Sequence, residues 1–278
     1  MFLGHVNDLK PGTWRVLAQC QGQLTLLNED GKYYIQDNIC PHQGSRIRQA
    51  HGSGLPVCPY HGWSWDQDGN PMGSGTVGHS RGTEFCKNQH VLSKRPAHEW
   101  NGFLFDRPID VDIDIAGNYI LWTQRQDEIK ASYIPVMDLF LDIDHIPVVH
   151  PKVYDRIDIP NVRDVEWIRW SGGSVQVVKG NRALWLALYP GVMFEWQPGA
   201  VFVMVNQPAG DDRTISHVFK YRERGHDQQT WDLNEQVWEQ AWAQDRAQAE
   251  LLEPGWRKIP EHNLDTEKRN FRAYIGSL

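Results

Sequence analysis

The 278-residue sequence is short of cysteine, of positive charge and of long apolar runs, and each shortage excludes something. Its four cysteines, Cys20, Cys40, Cys58 and Cys86, read in a reducing compartment as ligands or free thiols rather than disulfides. Lys and Arg total 28 against 35 Asp and Glu, a formal net charge of -7 that would repel nucleic acid and anionic membrane alike. No stretch reaches the roughly 18 consecutive apolar residues of a membrane-spanning helix. Met1–Lys10 has neither a basic leader nor an apolar secretion segment, so the expectation is a soluble, cytoplasmic protein. There is no Gly-rich dinucleotide fingerprint, which assigns NAD(P)H and flavin to a separate protein. There is also no internal repeat and no low-complexity linker.

What is present divides near residue 112. The first part reads as short strands, Thr13–Ala18, Gln23–Leu27, Lys32–Gln36 and Gly102–Asp106, with Asp30-Gly31 as a tight-hairpin signal. Between the third and fourth of these lies a stretch rich in Gly, Pro, Cys and His, which suits a small β domain whose loops are organised by a metal. The second part opens with an apolar segment, Val136–Val149, expected to be helical. Strand-like runs follow at Val165–Trp170, Ser174–Val178, Ala183–Tyr189, Ala200–Val205 and Thr214–Tyr221. The long Ala-, Glu- and Trp-rich segment Thr230–Leu252 is a helix stopped by Pro254 and Gly255. The expected fold class is α+β: an all-β domain over 1–112, then an antiparallel sheet flanked by helices over 113–278.

The strongest motif is Cys40-Pro41-His42, fifteen residues, then Cys58-Pro59-Tyr60-His61-Gly62-Trp63. Two thiolates and two imidazoles can bind one zinc ion, or a [2Fe–2S] cluster with both cysteines on one iron and both histidines on the other. The flanks differ from zinc-finger patterns. Here the ligands lie in two Gly/Pro loops, Pro41–Gly44 and Pro59–Gly62, whose backbone N–H groups can turn toward sulfur. Cys20 and Cys86 fall outside any ligand spacing and read as buried small residues. His51, His79, His90 and His98 read as surface or loop residues.

Cys40-Pro41-His42-Gln43-Gly44 and Cys58-Pro59-Tyr60-His61-Gly62-Trp63 resemble the Rieske motif of the ring-hydroxylating, Rieske-type non-heme iron oxygenases. The resemblance implies a cluster held by Cys40, His42, Cys58 and His61. Arg46 and Arg48, just after the first loop, are candidates for docking an acidic ferredoxin.

A second metal segment runs from Asp138 to Pro151. His145 and His150 are five apart, which in a regular helix separates them by about 140° around the axis. Pro147 is expected to kink or end the helix between them and let the imidazoles converge. The D-x-x-H-x-x-x-x-H spacing resembles the family's iron-binding segment. An O₂-activating Fe(II) site needs two histidines, a carboxylate and open positions. In the last helix Asp245 interrupts a stripe made by Trp231, Trp238, Trp242, Ala249 and Leu252, where a carboxylate is costly without a positive partner. A metal would supply that charge; an arginine is the alternative. The string Trp242-Ala243-Gln244-Asp245-Arg246 resembles the family's ligand segment, with Gln244 where an acidic residue is common. Asp245 is therefore the candidate third ligand, with Glu239 and Glu250 as alternatives.

By the same resemblance Asp142, rather than Asp144, contacts His145 and bridges to the Rieske histidine of a neighbouring subunit in a head-to-tail homotrimer. Leu139 stands where the family often has Asn. The implied function is a terminal oxygenase component. It takes electrons from an external reductase, with or without a ferredoxin, and activates O₂ to hydroxylate, demethylate or dihydroxylate a small organic substrate. A Rieske electron-transfer protein without oxygenase chemistry is the alternative, and a zinc-stabilised binding module is a third reading. Pocket walls are expected within Ala183–Val205, from Trp185, Tyr189, Phe194, Trp196 and Phe202.

Overall fold

In a computed structural model the described residues are 1–73, 90–115, 117–157, 164–178, 180, 183–253 and 255–277. They form two compact units, Met1–Ile113 and Asp114–Leu278. Cys86 and His79 lie outside the described residues.

Among the described residues the first unit contains ten short strands: β1 (Phe2–His5), β2 (Thr13–Val16), β3 (Leu24–Glu29), β4 (Lys32–Asp37), β5 (His51–Ser53), β6 (Ser64–Trp65), β7 (Pro71–Gly73), β8 (Lys94–Pro96), β9 (His98–Trp100) and β10 (Phe103–Phe105). A five-stranded sheet has the order β5-β2-β3-β4-β8, a second sheet the order β1-β10-β9, and β6 pairs with β7. The β3–β4 hairpin turns at Asp30 and Gly31, both at positive φ (51° and 87°), and Asn28 Oδ1 accepts from the Gly31 amide at 2.8 Å. Two-residue hairpins favour the primed turns, whose twist matches that of the strands, and the type I′ form needs two left-handed residues, hence the Asp-Gly pair. Leu3, Leu9, Leu17, Leu26, Ile35 and Leu104 form the core of the sheets.

The second unit is built on a seven-stranded antiparallel sheet of order β11-β17-β16-β15-β14-β13-β12. Its strands are β11 (Tyr119–Ile129), β12 (Val165–Trp170), β13 (Gly173–Val178), β14 (Leu184–Leu188), β15 (Val192–Gln197), β16 (Ala200–Pro208) and β17 (Thr214–Glu223). Successive side chains on a strand point to opposite faces. The register therefore lines up Gln176, Trp185, Glu195, Phe202 and Lys220 as one row across β13 to β17. The helices are α1 (Tyr133–Phe140), α2 (Ile146–Val149), α3 (Gln228–Leu252) and α4 (Thr266–Gly276).

Helix α3 begins where Asp227 caps it, its carboxylate accepting from the Thr230 amide at 2.8 Å. Its buried face packs Trp231, Trp238 and Trp242 against Phe202, Met204 and Met193 of the sheet. Five rings stack in sequence: Trp231 on Phe202 (6.1 Å), Phe202 on Trp238 (4.9 Å), Trp238 on Trp242 (5.5 Å) and Trp242 on Phe140 (5.6 Å). Such a ladder sets both the height and the rotation of α3 over the sheet, and so the direction in which Asp245 points.

The single helix expected over Val136–Val149 is instead three pieces. Helix α1 ends at Phe140, a 3₁₀ turn covers Ile143–His145, and α2 starts at Ile146. The break precedes Pro147 rather than following from it. Asp142 leaves helical geometry and caps the 3₁₀ turn by accepting from the Asp144 amide at 3.0 Å, while Pro147 sits in the first turn of α2, where it is tolerated.

Candidate metal centres

In the first unit the two Cys–His segments form matching loops. Cys40 N–H donates to Ser45 O (2.8 Å) and Gly44 N–H to Cys40 O (2.9 Å). Cys58 N–H donates to Trp63 O (2.7 Å) and Gly62 N–H to Cys58 O (2.9 Å). Gly44 and Gly62 close these loops at φ of 74° and 70°, where a side chain would be strained. The bridges Ile39↔Arg46 and Val57↔Ser64 repeat the register, so each loop is a copy of the other displaced by eighteen residues.

The thiols of Cys40 and Cys58 are buried and lie beside one another. The rings of His42 and His61 also meet, at 4.9 Å, with His42 stacked on Trp63 at 4.5 Å. Burial raises the Cys40 thiol, the backbone amide of His42 counters this, and the neighbouring Cys58 adds to the rise. His42 Nδ1 is buried without a hydrogen-bond partner. A thiol pair beside an imidazole pair, with an orphaned ring nitrogen, fits a larger two-iron cluster. Of the two arginines proposed for docking, Arg46 is exposed, but Arg48 is buried at 6% exposure. It donates to Gln36 Oε1 at 2.8 Å and covers the Trp14 ring, so it does not present a docking surface.

In the second unit His145, His150 and Asp245 come together, with one ligand atom from each within 4.8 Å of the others. Asp245 Oδ1 is 3.2 Å from His145 Nε2 and 2.8 Å from His150 Nε2. Two donors about 2.1 Å from one ion at a right angle are themselves about 3 Å apart, so these separations suit a shared metal. They are not aligned as hydrogen bonds: His145 Nε2 and Asp245 Oδ1 are buried with no hydrogen-bond partner.

The other ring nitrogens explain why. His150 Nδ1 faces Gln244 Oε1 at 2.9 Å, and His145 Nδ1 faces the Asp142 carbonyl oxygen. Both partners are placed as acceptors, so each ring donates from Nδ1, and a neutral ring then turns an Nε2 lone pair toward Asp245. Two such lone pairs and a carboxylate make a site for a cation, and without one a proton on a ring supplies the positive charge. With no metal between them, burial alone would raise the Asp245 carboxyl, but hydrogen bonds and charge from the two rings in their protonated form outweigh it and hold it below the ordinary range. They are offset in His150, where burial lowers and Asp245 raises the ring, with a net rise.

The structure reassigns several residues. The Asp142 carboxylate does not reach His145. It caps the 3₁₀ turn and pairs with Lys268 Nζ at 2.7 Å, and the contact to the imidazole comes from its backbone carbonyl. Asp144 is exposed. Glu239 pairs with Arg125 and Lys220, and Glu250 accepts from the Lys130 amide, so neither joins the histidines. Asp245 makes its close contacts with the two histidines and not with an arginine.

A pocket beside the three ligands is lined by Phe140, Tyr154, Trp185, Phe194, Trp238 and Trp242, with Glu195 among them. Three expected wall residues are elsewhere. Tyr189 packs on Phe271 and Tyr274, Trp196 donates to the Tyr119 hydroxyl at 2.6 Å, and Phe202 is inside the ring stack. Gln244 and Glu195 are the residues that sequence reasoning missed. Gln244 was visible only as a departure beside Asp245. Glu195 was signalled by an acid inside an otherwise apolar strand, Val192–Gln197. Burial, with Asp245 nearby, pushes its carboxyl up to about 8.

The chain is similar to several known proteins. Residues 1–78 match the Rieske [2Fe-2S] domain. Putrescine 2-hydroxylase of Ralstonia nicotianae is 24% identical over 243 residues, covering 73% of this chain and 64% of that protein. The glycine betaine monooxygenase oxygenase subunit of Chromohalobacter salexigens is 32% identical over 95 residues, or 32% of this chain and 21% of its own. Over nearly its full length the chain shares a fold with the quaternary ammonium Rieske monooxygenase CntA bound to L-carnitine (TM-score 0.65, 16% identity, 99% of this chain and 86% of that one). The same holds for naphthalene 1,2-dioxygenase from Rhodococcus sp. (TM-score 0.67, 14% identity, 100% and 88%).

The chain therefore matches a Rieske [2Fe-2S] domain over residues 1–78 and is similar in sequence and fold to Rieske oxygenases. It spans just under two thirds of the length of the putrescine hydroxylases it matches. No described helix is long and apolar enough to cross a membrane.

Proposed function

We propose that the chain is a terminal oxygenase component with two metal centres: a [2Fe–2S] cluster on Cys40, His42, Cys58 and His61, and a mononuclear iron on His145, His150 and Asp245. The observation that carries the second centre is the approach of His145 Nε2 and His150 Nε2 to the buried Asp245 Oδ1, with the two Nδ1 atoms engaged by the Asp142 carbonyl and Gln244 Oε1. Fe(II) bound there supplies O₂ activation, and the cluster supplies electrons received from a separate reductase or ferredoxin.

The protein's own contribution is to hold these donors without reorganisation. The ring stack fixes α3 and Asp245, the 3₁₀ turn and α2 fix the histidines, and Phe140, Trp185 and Trp242 give the pocket apolar walls. The substrate is a small organic molecule that is hydroxylated, demethylated or dihydroxylated. A head-to-tail homotrimer remains the proposed assembly. Asp142 is its inter-subunit link, acting through the backbone carbonyl on His145 rather than the carboxylate.

The test is nitric oxide added anaerobically to the Fe(II)-loaded, dithionite-reduced protein. A high-spin iron–nitrosyl EPR signal is expected in the wild type and absent in His150→Ala, with the reduced Rieske signal present in both. A nitrosyl signal that survives His150→Ala overturns the assignment of the ligands. A Rieske signal with no nitrosyl species in the wild type leaves an electron carrier without oxygenase chemistry.

A further inference from the structure

The described residues lining the pocket include three acids and no lysine or arginine. Asp245 faces the two histidines and Asp142 is paired with Lys268. Glu195 is different: it is 4% exposed, and no ion pair joins it to a lysine or arginine among the described residues, although it feels the charge of His150. Trp185 and Tyr154 hydrogen-bond its carboxyl, yet Oε1 is left with no partner. A buried carboxyl with an idle acceptor atom is costly to keep in an apolar site unless a ligand completes it.

The surroundings define that ligand. Glu195 stands in its row between Trp185 on β14 and Phe202 on β16, and the Tyr154 ring packs on Trp185 at 5.8 Å. Aromatic faces around a carboxylate favour a cation with an apolar body, and an idle oxygen acceptor favours one that carries an N–H. Tyr154 also meets His150 edge-on, with ring centroids 6.1 Å apart, so one ring joins the carboxyl to the metal ligands.

We infer that Glu195 is a specificity-determining residue that binds a protonated alkylamine, so that the carbons next to the nitrogen face His145, His150 and Asp245. This rests on the pocket being the substrate site of the proposed oxygenase. An ammonium group here forms a charge-assisted hydrogen bond to Oε1, whereas a neutral molecule of the same shape leaves the carboxyl as it was.

Calorimetric titration of the Fe(II)-loaded protein under anaerobic conditions tests this, with n-butylammonium chloride against 1-butanol in a phosphate buffer free of competing amines. The cation is expected to bind about tenfold or more tightly than the alcohol. Glu195→Gln should remove that preference while leaving 1-butanol within about twofold of the wild type. Equal binding of the two probes by the wild type overturns the inference, as does a preference unchanged in Glu195→Gln. The wild-type comparison decides alone if the variant does not fold. Fe(II) titration of the same sample separates the two claims. Metal binding without a cation preference sinks the subsite and spares the metal centre; a cation preference without metal binding does the reverse.

Discussion

Gln244 offers the most searching prediction, because its role comes from a single contact. Its Oε1 accepts from His150 Nδ1 at 2.9 Å and so decides which ring nitrogen is free for metal. Replacing it with leucine removes the acceptor at similar volume and leaves the N–H of a buried ring without a partner. Leaving such a group unsatisfied costs about 1–3 kcal/mol. Loss of a hydrogen-bond partner behind a metal-bound histidine weakens metal binding by roughly 10–100-fold. At about 1.4 kcal/mol per tenfold, that factor is roughly 1.4–2.8 kcal/mol, and the two routes agree. Gln244→Glu keeps an acceptor at the same place and should bind metal at least as well as the wild type. The assay is Fe(II) or Co(II) titration of apo protein, with the Rieske spectrum as a control for folding. A Gln244→Leu protein that binds metal within about twofold of the wild type would refute the argument from tautomer control.

Three other outcomes follow from the same contacts. Asp142→Ala loses a helix cap and the pair with Lys268, costing about 0.5–2 kcal/mol, but should leave Fe(II) affinity within a few-fold, because His145 is held by the backbone carbonyl. A tenfold loss of affinity in that variant would restore the carboxylate as the contact. Trp238→Ala removes the middle of the ring stack and should cost about 3–5 kcal/mol, lowering the melting temperature of its unit by roughly 6–20 °C in calorimetry. For Glu239, burial would raise the carboxyl, but Arg125 and Lys220 outweigh it and hold it below its ordinary 4.5. Its pairs therefore contribute fully above that pH and are lost as pH falls through the lower folded value. The urea midpoints of wild type and Glu239→Gln should differ at pH 7 and converge as the pH falls below the folded value.

Much of this architecture was legible because local signals and long-range packing agreed. Asp30-Gly31 fixed a hairpin, the CPH and CPYHGW loops carried their own glycines, and the Trp-rich stripe of α3 announced both a helix and a buried Asp245. Strand β11 was missed because its sequence, Tyr119–Ile129, is mostly polar. It lies at an edge of the sheet, and Arg125 and Asp127 engage Glu239 and the Trp242 indole there. Strand β15 was missed because Glu195 interrupts its apolar run. Its burial depends on the neighbouring strands and the residues around the pocket, which no local pattern reveals. Helix α4 hid for a similar reason: its apolar contact is chiefly Phe271, in an otherwise polar segment. The segment Val136–Val149 misled in the opposite way. Its composition favours a continuous helix, yet a side-chain cap at Asp142 competes with the helical ladder and breaks it. That break brings the two imidazoles together, so the feature that defeated the helix expectation builds the site.

The central claim is that one chain holds both a two-iron cluster and a separate mononuclear iron. Anaerobic purification with iron, acid-labile sulfide and zinc quantified per chain tests it most directly. About three irons and two sulfides, with a Rieske-type EPR signal after reduction, is the predicted result. Two irons that do not rise to three on adding Fe(II), or zinc without sulfide, would contradict it.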